Sequence, residues 1–120
     1  MKIFKLKPFH RWAKSMKMAE SQLKQAVTEI ASGLNDGELG SGLYKKRVAR
    51  AGGGKRGGHR TIVAFRHERA IFLFGYSKND REDIDSDQLQ QMRVLTKQFL
   101  NLTEKQIKDM VSSGSLVEVK

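Results

Sequence analysis

The stretch from Leu43 to Tyr76 constrains the fold most, because it contains three strand-like segments in direct succession. The alternation and β-branched content predict strands over residues 43–50, 59–65 and 70–76. A glycine-rich segment, residues 51–58, joins the first two, and the turn at residues 67–69 joins the last two. Connections this short make successive strands antiparallel neighbours, so we expect a three-stranded meander. The third segment is almost wholly apolar, which predicts a central strand covered on both faces.

Helical patterns flank the meander on both sides in the sequence. A first stripe runs from Phe9 to Met16, a second from Leu23 to Leu34, and a third from Leu89 to Leu102, each with helical spacing. The third helix is expected to begin near Ser86, whose hydroxyl can cap it. The capping-box pattern at residues 103–106 predicts a last short helix that ends at Gly114.

The remaining segments complete the predicted architecture. The alternation of residues 3–7 predicts a short strand, but it does not fix the partner of that strand. We expect a linker over residues 33–42. Residues 116–119 form either a weak strand or an extended tail. We therefore predict one α+β domain over residues 1–120. Its small antiparallel sheet consists of the N-terminal strand and the meander, flanked by two N-terminal helices and a C-terminal helix.

The charge of the chain restricts its partners. The formal net charge is +10, and residues 1–18 carry six Lys or Arg side chains and no acid. Such an imbalance favours nucleic acid, the ribosome, an acidic membrane surface or an acidic protein, although general solubility is the simpler alternative. The chain lacks cysteine, a signal peptide and any long apolar run, so we expect a soluble cytoplasmic protein without a thiolate metal site.

The cations are concentrated on the first two strands of the meander. Between Gly42 and Arg60 there are seven Lys or Arg side chains and no carboxylate. Period-two alternation places Lys45 and Arg47 on one face of their strand, and Arg60, at the start of the paired strand, can join them there. Three cations on one sheet face are costly unless an anion neutralises them, which predicts an anion site. The alternative is that these long side chains extend separately into water.

Several other site types are excluded by the sequence context. Residues 52–57 fit G-x-G-x-x-G, but a strand follows this segment where a dinucleotide site requires a helix. None of the three histidines has metal-ligand spacing with another, and the acidic run from Asp80 to Asp87 lacks the glycine and closing glutamate of a calcium loop. No nucleophile–histidine–acid set can be assembled. We therefore expect no cofactor and no metal.

Three segments together resemble one family. They are residues 43–47 (Leu-Tyr-Lys-Lys-Arg), residues 57–62 (Gly-Gly-His-Arg-Thr-Ile) and residues 72–79 (Phe-Leu-Phe-Gly-Tyr-Ser-Lys-Asn). The chain resembles the RelE/ParE superfamily of bacterial toxins over nearly its whole length, and is most similar to the RelE-type branch. The resemblance implies a small sheet flanked by helices, as in microbial ribonucleases. It also implies a toxin held inactive by a cognate antitoxin.

The RelE-type resemblance implies a ribosome-dependent endoribonuclease that cleaves mRNA without a metal and so inhibits translation. The ribose 2′-hydroxyl attacks the neighbouring phosphate in such enzymes. By resemblance, Lys45, Arg47 and Arg60 match the basic positions of the motif. Lysine can accept a proton, whereas arginine stays charged and can only clamp the phosphate. Lys45 is therefore the candidate base and Arg47 and Arg60 are the candidate phosphate clamp. The candidate RNA- or ribosome-binding residues are Lys46, Arg50, Lys55, Arg56, Tyr76, Lys78 and Arg81.

The chain also departs from the RelE pattern. Asn79 stands where RelE has a functional arginine, with Arg81 as a possible substitute, and Asp85 stands where RelE has an aromatic acid. The general acid is therefore unassigned. Two alternatives stay open at this point. One is a ParE-like toxin that acts on DNA gyrase without cleaving nucleic acid, and the other is a non-catalytic RNA-binding protein.

Overall fold

A computed structural model gives the fold, and it describes residues 1–49, 58–77 and 84–120. Within these residues the chain forms four helices and a six-stranded mixed sheet in the strand order β2-β3-β4-β5-β1-β6. The predicted α+β class is confirmed. The elements in chain order are β1 (Lys2–Leu6), α1 (Lys7–Ser15), α2 (Glu20–Ala31), β2 (Gly37–Gly40), β3 (Leu43–Val48), β4 (His59–Arg66), β5 (Arg69–Ser77), α3 (Ser86–Leu100), α4 (Glu104–Ser113) and β6 (Leu116–Glu118).

The meander is present as predicted, but the sheet is not purely antiparallel. Strands β3, β4 and β5 pair antiparallel in succession. Strand β1 pairs parallel with β5, with Phe4 opposite Ile71, and β6 pairs antiparallel with β1 on the outer side. The prediction of an antiparallel sheet was wrong at β1, because a five-residue alternation fixes which side chains share a face but neither the partner nor the direction of the strand.

One further element differs from the predicted layout. Residues 37–40, predicted as part of a linker, form the edge strand β2 against β3, and residues 116–118 take the strand option as β6. Helix α4 is the last short helix that the capping-box pattern predicts. Thr103 caps it in a capping box with Gln106, and Gly114 ends it in the left-handed conformation, as the sequence predicts.

Helices cover both faces of the sheet, so two cores form. Helices α1 and α2 pack on one face, where Phe9, Leu23 and Ile30 meet Val63 and Phe72. Helices α3 and α4 pack on the other face, in a cluster whose members are Phe4, Leu43, Ile62, Ile71, Tyr76, Met92, Phe99, Ile107 and Leu116. The central position of β5 agrees with its apolar sequence, since Ile71 and Phe72 are fully buried on opposite faces.

The direction of α3 matters for the site. Arg69, the first residue of β5, donates hydrogen bonds to the carbonyls of Phe99 (2.9 Å) and Leu102 (2.8 Å), which lie at and just beyond the C-terminal end of α3. Leu89, in the first turn of α3, packs against the cluster that contains Tyr76 near the end of β5. Helix α3 therefore runs antiparallel to β5, and its first turn lies at the end of the sheet where Tyr76 is.

Candidate functional site

A row of side chains crosses three strands at one end of the sheet. Arg47 on β3 lies opposite Arg60 on β4, and Arg60 lies opposite Tyr76 on β5. Residues paired across an antiparallel ladder share a face, with Cβ atoms about 5 Å apart. The two arginines therefore begin from neighbouring positions on one face of the sheet. We call Lys45, Arg47 and Arg60 the basic row.

Lys45 belongs to the same face, one step further along β3. It lies two residues before Arg47 and opposite Ile62, which in turn lies opposite Phe74. Its side chain is half-buried, and its aliphatic part runs past Gly37 on the edge strand. The structure thus brings Lys45, Arg47 and Arg60 to one face, as the alternation predicted.

The two arginines of the basic row differ in exposure. Arg47 is exposed, whereas Arg60 is 8% exposed and donates a hydrogen bond from Nη1 to the carbonyl of Gly58 at 3.1 Å. Within the described residues neither guanidinium forms an ion pair with a carboxylate. Like charges directly opposite each other on a sheet are destabilising. The pair is therefore suited to holding an anion, which would remove that repulsion.

Lys46 has a different environment from its neighbours. It points to the α1/α2 face, is 3% exposed, and its Nζ lies 2.7 Å from Glu29 Oε1 on α2. Asp36 Oδ2 lies 4.0 Å from the same Nζ. Lys46 was predicted to contact RNA or the ribosome, but burial and pairing give it the position of an internal ion pair. It does not join the basic row.

Tyr76 is brought next to Arg60 but is not open to a base. Its residue is 3% exposed, and its ring packs against Phe74 with centroids 6.0 Å apart. The register shifts between Ile62 and Val63, so that Ile62 faces Phe74 while Val63 faces Phe72. This bulge turns Tyr76 onto the same face as Arg60. Strict alternation from Phe72 would place it on the other face, and the continuous apolar run of β5 gives no signal of the shift.

Five predicted contact residues lie outside the described residues. They are Arg50, Lys55, Arg56, Lys78 and Arg81. The first three come from the segment that joins β3 to β4, and the last two follow β5. Both segments begin at the end of the sheet that carries Arg47, Arg60 and Tyr76.

Asp85 has a structural partner near the site. Its carboxylate Oδ1 accepts the backbone N–H of Gln88 at 2.9 Å, which caps α3. Helix α3 begins at Ser86, as predicted, but the capping side chain is that of Asp85 and not the Ser86 hydroxyl. The cap satisfies one of the free backbone N–H groups in the first turn of α3 and so stabilises the start of the helix. The position where RelE carries an aromatic acid thus holds a capping residue in this chain.

His59 lies behind the site, on the α1/α2 face. His59 lies opposite Val48, and its ring meets the Trp12 ring edge-on at 5.4 Å, which confirms that it projects away from Arg60. Trp12 also covers Gly75, where a Cβ atom would collide with the indole ring. These contacts place α1 across the sheet from the basic row and at the same end of the molecule.

The outer face of α1 is strongly basic. Lys7, Arg11 and Lys14 follow one another at i, i+4 and i+7 on this exposed face, and Lys17 comes just after the helix. None of the four is in an ion pair with a carboxylate of residues 1–49, 58–77 or 84–120. We call these four residues the α1 cations. The sequence predicted their charge, and the packing of Trp12 explains their position.

No metal site is found in the part of the chain that the structure describes, where no three His, Asp or Glu side chains could hold an ion together. No helix there is long and apolar enough to cross a membrane. A groove of about 760 Å³ lies between α4 and the β4–β5 turn, at the end of β5 opposite Tyr76. It is lined by residues that include Phe4, Arg66, Glu68, Ile107 and Lys108, and none of the basic row is among them.

Comparison with protein families gives one match over almost the entire chain. Residues 1–119 match the model of a family described as the RelE toxin of the RelE/RelB toxin–antitoxin system. The match covers all ten elements of the fold, including β3 and β4, the two strands that carry the basic row.

Proposed function

We propose that this chain, which belongs to the RelE toxin family, is a ribosome-dependent endoribonuclease that cleaves mRNA at the basic row. Membership of the family implies an antitoxin partner. The observation that carries the proposal is the cross-strand pair Arg47–Arg60, two like charges on one sheet face with no ion-pair partner among the described residues. A phosphodiester supplies the negative charge that this pair lacks.

The proposed reaction is a transfer within the RNA strand. The ribose 2′-oxygen attacks the adjacent phosphorus, the bond from phosphorus to the 5′-oxygen breaks, and the products carry a 2′,3′-cyclic phosphate and a 5′-hydroxyl. Negative charge accumulates on the phosphoryl oxygens in the transition state, and Arg47 and Arg60 stabilise it there. Loss of one such donor typically lowers a rate by about 100-fold or more.

Lys45 is the candidate acceptor of the 2′-hydroxyl proton. It is the one member of the basic row that can exist as a neutral base, because a guanidinium does not deprotonate in proteins. Its place on the same face, one step from Arg47, suits it to reach the ribose that precedes the phosphate. The proton on the leaving 5′-oxygen comes from a group that we do not assign, and Asp85 is engaged as a helix cap.

Docking to the ribosome is assigned to cations outside the basic row. The α1 cations are exposed and lie at the same end of the molecule, so a ribosomal RNA backbone can be held while the basic row faces the mRNA. The proposal keeps as RNA contacts the five predicted residues that lie outside the described residues, Arg50, Lys55, Arg56, Lys78 and Arg81. Lys46 is left out because it is buried against Glu29, and Tyr76 is proposed to support Arg60.

The test combines purified protein, ribosomes and a defined mRNA, with 5′ ends mapped by primer extension. We expect cuts at codon-related positions when ribosomes are present and no cuts on free mRNA. An mRNA with a single 2′-deoxy nucleotide at the cut position should stay intact there. Cutting of that mRNA at the same bond would contradict the proposed chemistry.

A second assay separates the proposal from the gyrase alternative. DNA gyrase supercoils relaxed plasmid in the presence of the protein at the concentration that cleaves mRNA. We expect unchanged supercoiling and no cleaved DNA. Inhibition of gyrase together with intact mRNA on ribosomes would overturn the ribonuclease proposal in favour of a ParE-like toxin.

A further inference from the structure

The edge of β3 is held by a side chain where the ladder of β2 ends. The pairing of β2 with β3 ends with Gly37 opposite Lys45. Asp36 continues the contact in two ways, since its backbone N–H donates to the carbonyl of Lys45 at 2.9 Å and its Oδ2 accepts the backbone N–H of Arg47 at 2.7 Å. The carboxylate therefore takes the place of the main-chain acceptor that a longer β2 would supply.

The same carboxylate also faces a buried cation. Lys46 Nζ lies 4.0 Å from Asp36 Oδ2 and 2.7 Å from Glu29 Oε1, and the Lys46 side chain is 4% exposed. A buried ammonium is tolerated only with such partners, and removal of one partner leaves a charge uncompensated. Lys46 thereby ties the centre of the Lys45–Arg47 segment to α2. Asp36 ties both ends of that segment to the edge of the sheet.

We propose that Asp36, together with Lys46, is a positioning residue for RNA cleavage, because it fixes the β3 backbone from which Lys45 and Arg47 reach the phosphate. This inference rests on the proposed ribonuclease function. Asp36 does not touch the RNA and acts through the backbone of Lys45 and Arg47. A displacement of reacting groups by about 1 Å can lower a rate about 100-fold, so a fixed backbone at this point has a direct effect on chemistry.

The test compares Asp36→Ala with Asp36→Asn. The alanine variant removes the acceptor for the Arg47 N–H, whereas the asparagine variant keeps an oxygen acceptor at the same place and loses only the charge. Asp36 has a side chain that is 32% exposed, so neither change is expected to unfold the protein. Asp109→Ala is the matched control, because it removes a 66% exposed carboxylate whose ion pair is with Lys105 of the same helix, α4.

The readout separates chemistry from binding. At saturating ribosomes we expect Asp36→Ala to cleave mRNA about 10- to 100-fold more slowly than wild type, with ribosome affinity unchanged within about twofold. Asp36→Asn should recover most of the rate, and Asp109→Ala should match wild type. Wild-type cleavage by Asp36→Ala, a loss confined to ribosome affinity, or an equal loss of rate in Asp36→Asn would each overturn the assignment.

Hydrogen exchange provides a readout that does not depend on activity. The amide of Arg47 should exchange faster in Asp36→Ala than in wild type, while the amide of Ile71 on the central strand stays unchanged. Equal exchange of the Arg47 amide in the two proteins would overturn the proposed positioning role of Asp36.

Arg60→Ala, run in the same cleavage assay, separates the positioning role of Asp36 from the proposed ribonuclease site. If Arg60→Ala is inactive and Asp36→Ala is not impaired, the positioning role alone fails, whereas a fully active Arg60→Ala contradicts the proposed site itself.

Discussion

Neighbouring cations on β3 have different fates because side chains alternate along a strand. Lys45 and Arg47 share the face that carries Arg60, whereas Lys46 between them is buried against Glu29. A charged residue is buried at that position only because an acid on α2 compensates it. The position of a residue within the strand, more than its charge, therefore decides whether it joins the basic row.

His10 is a residue whose protonation opposes folding. Its Nδ1 is buried and has no hydrogen-bond partner among the described residues. Burial is the largest cause that lowers the pKa of His10 below its ordinary value of about 6.5, and Lys5 and Lys14 lower it further, while Glu20 raises it. The folded protein thus favours neutral His10, and the unfolded chain binds the proton more readily.

The pH dependence of stability follows from this difference. Because the folded-state pKa is lowered, the free energy of unfolding should be highest above about pH 6.5 and should decrease as the pH falls below it. Urea titrations of wild type and His10→Gln between pH 5 and 8 measure the effect. We expect a shallower decrease in His10→Gln. The same decrease in both proteins would show that His10 is not its source.

Gly75 is required by the close approach of Trp12. A Cβ atom at Gly75 would collide with the indole ring, which is held between Phe9 and His59. We expect Gly75→Ala to lower the free energy of unfolding by about 1–3 kcal/mol, the usual cost of overpacking. Chemical denaturation of Gly75→Ala, Trp12→Leu and the double variant checks the cause. The double variant should lose less than the sum of the two single changes, and simple additivity would contradict the proposed collision.

The basic row can be predicted from the sequence, whereas the positions of Tyr76 and Lys46 cannot. Period-two alternation is enough to place Lys45 and Arg47 on one face, and the short connection to β4 brings Arg60 to them. Alternation alone predicts the wrong face for Tyr76, because the register shift between Ile62 and Val63 reverses the alternation in β5. The ion pair between Lys46 and Glu29 is not predicted by alternation either, since Glu29 is distant in sequence and only tertiary packing brings the two side chains together.

At the scale of elements, strong local patterns predict correctly and short ones do not. The apolar stripes give α1, α2 and α3, and the capping box gives α4. The direction of β1 and the presence of β2 depend on contacts with distant strands, which a few residues do not encode. The same limit applies inside α3, where Leu95 is 37% exposed and Thr96 is fully buried, because the contact with β3 and β4 turns the helix slightly from the predicted stripe.

Helix α1 supplies an element-scale prediction about docking. The α1 variant combines Arg11→Gln, Lys14→Gln and Lys17→Gln. The control variant combines Lys97→Gln, Lys105→Gln and Lys108→Gln, which removes the same charge from α3 and α4. Each phosphate contact contributes about 0.7–0.9 to the slope of log affinity against log salt. Binding measured by co-sedimentation with ribosomes should give the α1 variant a slope of log affinity against log salt that is about 2 smaller in magnitude than that of wild type. The slope of the control variant should equal that of wild type. Equal losses in both variants would indicate a general effect of net charge.

At the scale of the whole molecule, the basic row and the C-terminal end of α3 lie at opposite ends of the sheet. Arg66 and Arg69 fix the C-terminal end of α3 at the opposite end of β4 and β5, through the carbonyls of Phe99, Leu100 and Leu102. The first turn of α3, the α1 cations and the basic row lie together at the end near Tyr76. A chain of net charge +10 thus presents the basic row on one face of the sheet and the α1 cations on the other side, at the same end of the molecule.

The most direct test of the central claim is the single-turnover rate of mRNA cleavage on the ribosome for Arg47→Ala and Arg60→Ala, with Lys97→Ala as an exposed control. We expect a loss of about 100-fold or more for each arginine variant, with ribosome affinity close to wild type and no change for Lys97→Ala. Wild-type rates in both arginine variants would contradict the account, since the phosphate would then be held elsewhere.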